Sequence, residues 1–184
     1  MSDGRVMDPQ AFPQSAALPY RVTGTGVEVM LVTPRGGEGW IIPKGKVKAR
    51  LGPAPSARQE AWEEAGVRGE IDAALFDQYS HGGRDDGPLV AVYLMRVTRE
   101  LPVWPERHER TRRWVTLEQL PRMIVDPGLA RVMRDAAVHL AANAPAAWAD
   151  GESAREAKRV RRRRLAQSAL LLAAGSALAA IALL

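Results

Sequence analysis

Residues 45–67 read Gly-Lys-Val-Lys-Ala-Arg-Leu-Gly-Pro-Ala-Pro-Ser-Ala-Arg-Gln-Glu-Ala-Trp-Glu-Glu-Ala-Gly-Val. Glu60, Glu63 and Glu64 fall at i, i+3 and i+4, so on a helix all three lie within an arc of about 100°. The helix signals are local. Ser56 is a candidate N-cap, Gln59 stands three residues on as its capping-box partner, and Gly66 is a stop, which predicts a helix over residues 57–65. Like charges crowded on one face repel, and a cation held between them relieves the repulsion. A solvated helix face is the alternative for an isolated Glu-x-x-Glu-Glu.

Outward from this segment, the order of elements is that of a mixed α/β domain. Residues 1–18 are polar and Pro-containing and read as a loose lead-in. Val27–Val32 reads as a strand, starting as early as Tyr20, and residues 34–39 as a turn. Trp40-Ile41-Ile42 reads as a short second strand ended by Pro43. Residues 67–79 are mostly strand with a break near Asp72. Residues 89–97 are the clearest strand, and 112–115 a short one centred on Trp114. Residues 116–120 look like a helical turn. Residues 127–142 form a second main helix, with Leu129, Val132, Met133, Ala136, Ala137 and Leu140 at helical spacing. The domain is expected to span 19–142, with a linker over 143–157.

The chain has 184 residues, 26 basic and 21 acidic, for a net charge of +5. That balance invites a nucleic-acid reading, but the excess sits in Lys-Arg-Val-Arg-Arg-Arg-Arg at 158–164. Residues 1–157 carry 20 basic and 21 acidic residues, so no nucleic-acid partner is expected. Residues 165–184 follow directly and carry no charge. Twenty residues of helix span ~30 Å, the thickness of a bilayer core, and the preceding arginines suit the positive-inside rule. The expectation is a membrane protein with a single C-terminal span and residues 1–157 facing the cytoplasm; an alanine-rich soluble helix is the alternative. There is no cysteine, which excludes disulfides and thiolate metal sites. The first twenty residues lack a basic start followed by an apolar run, so no secretory signal is expected. His81, His108 and His139 show no metal-ligand pattern, and only His81, beside Gly82-Gly83, lies in a turn suited to meeting a substrate.

Residues 45–67 resemble the Nudix box, Gly-x5-Glu-x7-Arg-Glu-U-x-Glu-Glu-x-Gly-U, with U aliphatic. Gly45, Glu60, Ala61, Glu63, Glu64, Gly66 and Val67 stand at the required spacing. Leu51 stands where the box has glutamate, and Gln59 where it has arginine. Trp40-Ile41-Ile42-Pro43-Lys44-Gly45-Lys46, Trp104 and Arg112-Arg113-Trp114-Val115 are similar to the diphosphoinositol-polyphosphate and dinucleoside-polyphosphate hydrolases of this family. The resemblance covers about Pro19 to Ala137. It implies an α/β/α sandwich with a mixed sheet, to which the C-terminal hydrophobic helix would be an addition.

The resemblance also implies hydrolysis of a phosphoanhydride small molecule assisted by Mg²⁺ or Mn²⁺. Such hard cations take oxygen ligands, bind through one or two carboxylates and lower the pKa of a bound water. Glu60, Glu63 and Glu64 are the implied metal ligands, with Glu60 and Glu63 the implied catalytic residues. The backbone carbonyl near Lys44 and Gly45 is implied to complete the site. Lys44, Gly45 and Lys46 are the implied phosphate contacts, with Lys48 and Arg50 as further candidates. Glu106 and Glu109, after Trp104, are alternative catalytic bases or solvated surface acids. Losing the box glutamate and arginine together replaces an ion pair by uncharged groups, which spares the fold and bears instead on the alignment of Glu60. A domain that binds a nucleotide or phosphorylated ligand without turning it over is the second expectation.

Overall fold

The computed structural model describes residues 12–83 and 87–143. Seven strands form one sheet: β1 (Gln14–Thr23), β2 (Gly26–Val32), β3 (Lys44–Lys46), β4 (Val67–Ile71), β5 (Asp77–Ser80), β6 (Leu89–Glu100) and β7 (Arg112–Thr116). The main path runs β4-β6-β1-β2-β7, with β3 on β1 and β5 on β6. β1 and β6 are parallel and every other pair is antiparallel. The helices are α1 (Pro53–Ala65), the single turn α2 (Leu120–Met123) and α3 over residues 127–143.

Strand alternation divides the apolar side chains between two cores. Ala16, Leu18, Val29, Leu31, Val90, Val92 and Leu94 face one side, where they pack with Leu129, Val132, Met133, Ala136 and Leu140 of α3. Ala17, Met30, Val32, Ala91, Tyr93 and Met95 face the other, under Ala54, Ala57, Ala61 and Ala65 of α1. The alanine seam on α1 lets the helix lie close to the sheet. The result is the expected α/β/α sandwich with a mixed sheet.

Several boundaries differ from the sequence expectation. The lead-in ends by residue 13, because β1 begins at Gln14 and is the central strand, with Ala16, Ala17 and Leu18 fully buried. Its Ser, Ala and Pro residues carry little strand signal. Pro19 is tolerated by its position. The Ala17 N–H points to the Pro43 carbonyl, so the nitrogen two residues on faces the same edge. There the β3 ladder has ended at Ala16 and the β2 ladder starts at Tyr20, and no N–H is needed. The strand expected over 40–42 reduces to one bridge, Val32 with Ile41, and the paired segment is Lys44–Lys46. α1 starts at Pro53, four residues early, since prolines fit a first helical turn whose N–H groups have no partner in any case. Ser56 is therefore not an N-cap. Its hydroxyl donates to the Gly52 carbonyl at 2.6 Å and accepts the Lys48 N–H at 2.9 Å, which ties the β3–α1 loop to the helix. Asp126 caps α3, its Oδ1 accepting the Leu129 N–H at 3.0 Å. Among the described residues no helix is long and apolar enough to cross a membrane; of the linker, basic block and hydrophobic segment expected over 143–184, residue 143 ends α3 and the rest lie outside the described residues.

Candidate active site

α1 carries the three carboxylates on the turn nearest β3. Glu60 and Glu64 are buried and Glu63 is half-buried. Gly45 is what allows Glu60 to sit there. A Cβ at position 45 would fall 2.5 Å from Glu60 Oε1 and 2.6 Å from Oε2, so only glycine leaves the carboxylate its space. The Lys44 backbone N–H donates to Glu64 Oε2 at 3.2 Å. β3 and α1 are thus joined through the acidic groups themselves.

The cations around these groups come from distant segments. Arg110 pairs with Glu64 Oε1, and the two side chains are only 8% and 5% exposed. Arg110 also donates to Glu106 Oε2 at 2.6 Å and to the Thr33 carbonyl at 2.8 Å. Arg35 holds Glu106 and Glu109, each at 2.6 Å. Lys48 Nζ lies 3.4 Å from Glu63 Oε1 and 3.7 Å from Glu60 Oε1, and Gln59 Nε2 donates to Glu63 Oε1 at 2.6 Å. Glu60 is therefore the buried carboxylate with the weakest neutralisation. Burial pushes its carboxyl above the ordinary value, Glu63 adds to the push and Lys48 opposes it. Burial pushes Glu64 up to about 7, against the pull of Arg110 and the Lys44 amide.

The phosphate candidates divide. Gly45 meets Glu60, but the Lys44 and Lys46 side chains alternate to the opposite face of β3. Lys44 pairs in register with Ala16 of the α3-side core, and its Nζ donates to Gln14 Oε1 at 3.2 Å. Burial draws the Lys44 amine below its ordinary value. Lys48, by contrast, points at the acidic cluster. Glu106 is ion-paired on both oxygens rather than solvated, and Glu109 is half-exposed beside Arg35. His81 lies 3.4 Å from Asp126 at the start of α3. Sequence reasoning missed Arg110, Arg35 and the inward turn of Lys48. These are pairings across 46 and 71 residues for the two arginines, and no local pattern marks them. Leu51 and Gln59 both line a groove between α1 and β4, with Pro55, Arg58, Trp62 and Arg68.

The NUDIX domain family model matches residues 13–136, which include the sheet, α1 and most of α3. The chain belongs to the NUDIX family. Nudix hydrolase 16, mitochondrial, of Arabidopsis thaliana is 35% identical over 104 residues, covering 53% of this chain and 58% of that protein. Diphosphoinositol polyphosphate phosphohydrolase 3-alpha of Homo sapiens is 30% identical over 125 residues, covering 65% of this chain and 74% of that one. The chain spans about half the length of the plant relatives it matches. An Ap4A hydrolase from C. elegans, solved as a binary complex, shares the fold with a TM-score of 0.57 at 17% identity, over 70% of this chain and 98% of that one.

The NUDIX fold implies a divalent cation, and the donor set suits one. It offers only oxygens, those of two buried carboxylates one helical turn apart and of Glu63 beside them, with the glycine cradle giving Glu60 room. Among the described residues no three acidic or histidine side chains already converge as a finished cage. Mg²⁺ does not require one, since it binds through one or two carboxylates and keeps several waters. Glu60 and Glu64 are the NUDIX residues that could hold it, with Glu63 beside them.

Proposed function

We propose that this NUDIX protein hydrolyses a phosphoanhydride bond, with Glu60, Glu64 and Glu63 holding Mg²⁺ or Mn²⁺. The observation that carries the reading is the burial of Glu60 and Glu64 against the β3 loop, with Glu60 fitted into the space a side chain at 45 would fill. Buried carboxylates left short of positive charge are costly, and a divalent ion removes that cost. When bound, the ion would neutralise phosphate oxygens and acidify a bound water. Glu63 is the carboxylate best placed to accept a proton. It is more exposed than its neighbours, and its Oε1 is steadied by Gln59. Lys48 is the side chain best placed to meet an anionic substrate over the cluster. A diadenosine polyphosphate or a diphosphoinositol polyphosphate is the proposed substrate; the human relative's name supports the second.

A second reading is a domain that binds such a ligand with little or no turnover. It is favoured by Leu51 and Gln59 in the box, and by Arg110 already holding a carboxylate the metal would use. A panel of phosphoanhydrides with Mg²⁺ and Mn²⁺ separates the two. Turnover that is abolished in Glu64→Gln supports the hydrolase; tight binding without turnover on every compound supports the binding domain. We further propose that residues 165–184 anchor the protein in a membrane, with the basic block at 158–164 on the cytoplasmic side. Release of the full chain by alkaline carbonate without detergent would refute the anchor.

A further inference from the structure

Ser15 is completely buried, and among the described residues its hydroxyl has no hydrogen-bond partner. Native interiors leave few such groups, and each calls for an account. Ser15 lies in β1, directly opposite Gly45 in β3 and beside Ala91 in β6. Alternation puts its side chain on the face of Ala17 and Ala91, beneath α1. Directly opposed residues in an antiparallel pair place their Cβ atoms about 5 Å apart on the same face. The position a Cβ of Gly45 would take is occupied by the Glu60 carboxylate. The orphaned hydroxyl and Glu60 are therefore neighbours on the floor of the site, across the β1–β3 pair.

We propose that Ser15 is a positioning residue for Glu60, its hydroxyl donating to the carboxylate when Glu60 engages a divalent cation. The proposal rests on the metal-site reading above and deepens it. Carboxylates that bind metals are themselves held by hydrogen bonds, and losing such an outer partner weakens metal affinity by about 10–100-fold. Here the box arginine that would stand beside Glu60 is Gln59, and Gln59 is spent on Glu63. Lys48, at 3.7 Å, is too far for a hydrogen bond to Glu60. Ser15 is the donor on the sheet side that can fix the orientation of the carboxylate. It lies too deep, at 0% exposure, to touch a substrate.

The test measures Mn²⁺ affinity by electron paramagnetic resonance and metal-free melting temperature for the full chain and for Ser15→Ala, Ser15→Cys and Glu60→Gln. Cysteine keeps nearly the shape of serine but is a weak donor, and the chain has no other cysteine to confuse the result. The expected result is that Ala and Cys both weaken Mn²⁺ binding by about tenfold or more. Neither should lower the metal-free melting temperature, since an unpartnered buried hydroxyl contributes nothing there. Wild-type affinity in Ser15→Ala, with Glu60→Gln defective, overturns the role of Ser15 alone. Loss in Ala but not in Cys assigns the effect to a cavity and overturns it as well. A metal-free melting temperature lowered by several degrees shows a hydroxyl already bonded without metal, and also overturns it. No Mn²⁺ binding by the wild type, or equal binding by Glu60→Gln, sinks the metal site and Ser15 together.

Discussion

At Glu64 burial works against an arginine and a backbone amide, and burial wins. The carboxyl is pushed from 4.5 to about 7 despite Arg110 and Lys44. Between about pH 4.5 and 7 the folded state therefore binds more protons at this group than the unfolded state. Its contribution to stability is full below pH 4.5 and is lost as the pH rises through 7. Metal binding needs the deprotonated group and changes in the opposite direction. Mn²⁺ titrations from pH 5.5 to 8.5 should show affinity rising through pH 7 and levelling above it; a flat profile would place Glu64 outside the metal shell. Removing Arg110 leaves the buried carboxylate without its partner. Arg110→Ala should cost about 3–5 kcal/mol at pH 8 and less at pH 6, where Glu64 can take a proton, as read by urea denaturation at the two pH values. The box departures behave differently. Leu51 is 45% exposed, so an ion pair restored there is worth only about 0–1 kcal/mol. Leu51→Glu with Gln59→Arg should leave the urea midpoint nearly unchanged while raising the hydrolysis rate above either single variant, whereas equal rates in all four proteins would show that the missing pair does not limit Glu60.

α1 is fixed at its C-terminal end by the segment that runs from Leu101 to Arg112. The Glu63 carbonyl accepts the Glu106 N–H, the Glu64 carbonyl accepts Trp104 Nε1, and the Ala65 carbonyl accepts Arg112 Nη1. Arg112 in turn stacks over the Trp104 ring at 4.1 Å. The terminal carbonyls that a helix cannot satisfy internally are thus used to dock the segment carrying Arg110 beside the acidic face. Gly66 makes this possible. It is in the left-handed region at φ 63°, and a Cβ there would strike Trp104 and Arg112. Gly66→Ala should destabilise by about 1–3 kcal/mol from backbone strain, with the Trp104 contact adding to it, and thermal unfolding checks this. This element also shows what a sequence can carry. The stop at Gly66 and the spacing of Glu60, Glu63 and Glu64 are local, and the structure bears out both. The helix start was hidden because Pro53 and Pro55 read as breakers unless the first turn is known to lie there. β1 was hidden because Ser-Ala-Ala-Leu-Pro suits a strand only when both faces are covered by helices. Ser15 reaches the carboxylates through the β1–β3 pairing and Arg110 through the segment docked on the end of α1, and no pattern within a window of a dozen residues brings them there.

At the scale of the domain, the described residues within 12–143 hold two cores and the acidic cluster, with each face of the sheet covered by its own helix. Among the described residues, both cores are built from side chains between Phe12 and Leu140. A chain ending at Asn143 should therefore melt within about 2 °C of the full chain, because a change of 1 kcal/mol shifts Tm by several degrees in a domain of this size. The same pair of proteins separates the two ways the C-terminal region could meet a membrane. Six basic residues at 158–164 would bind anionic vesicles electrostatically, an attraction that 1 M salt screens to about 3 Å. An inserted span at 165–184 is held by apolar transfer and does not respond to salt in that way. Co-sedimentation with vesicles containing phosphatidylserine should leave the truncated chain in the supernatant and the full chain in the pellet in both low and high salt. Release of the full chain at 1 M salt would assign the attachment to the arginines alone and leave the apolar segment to another partner.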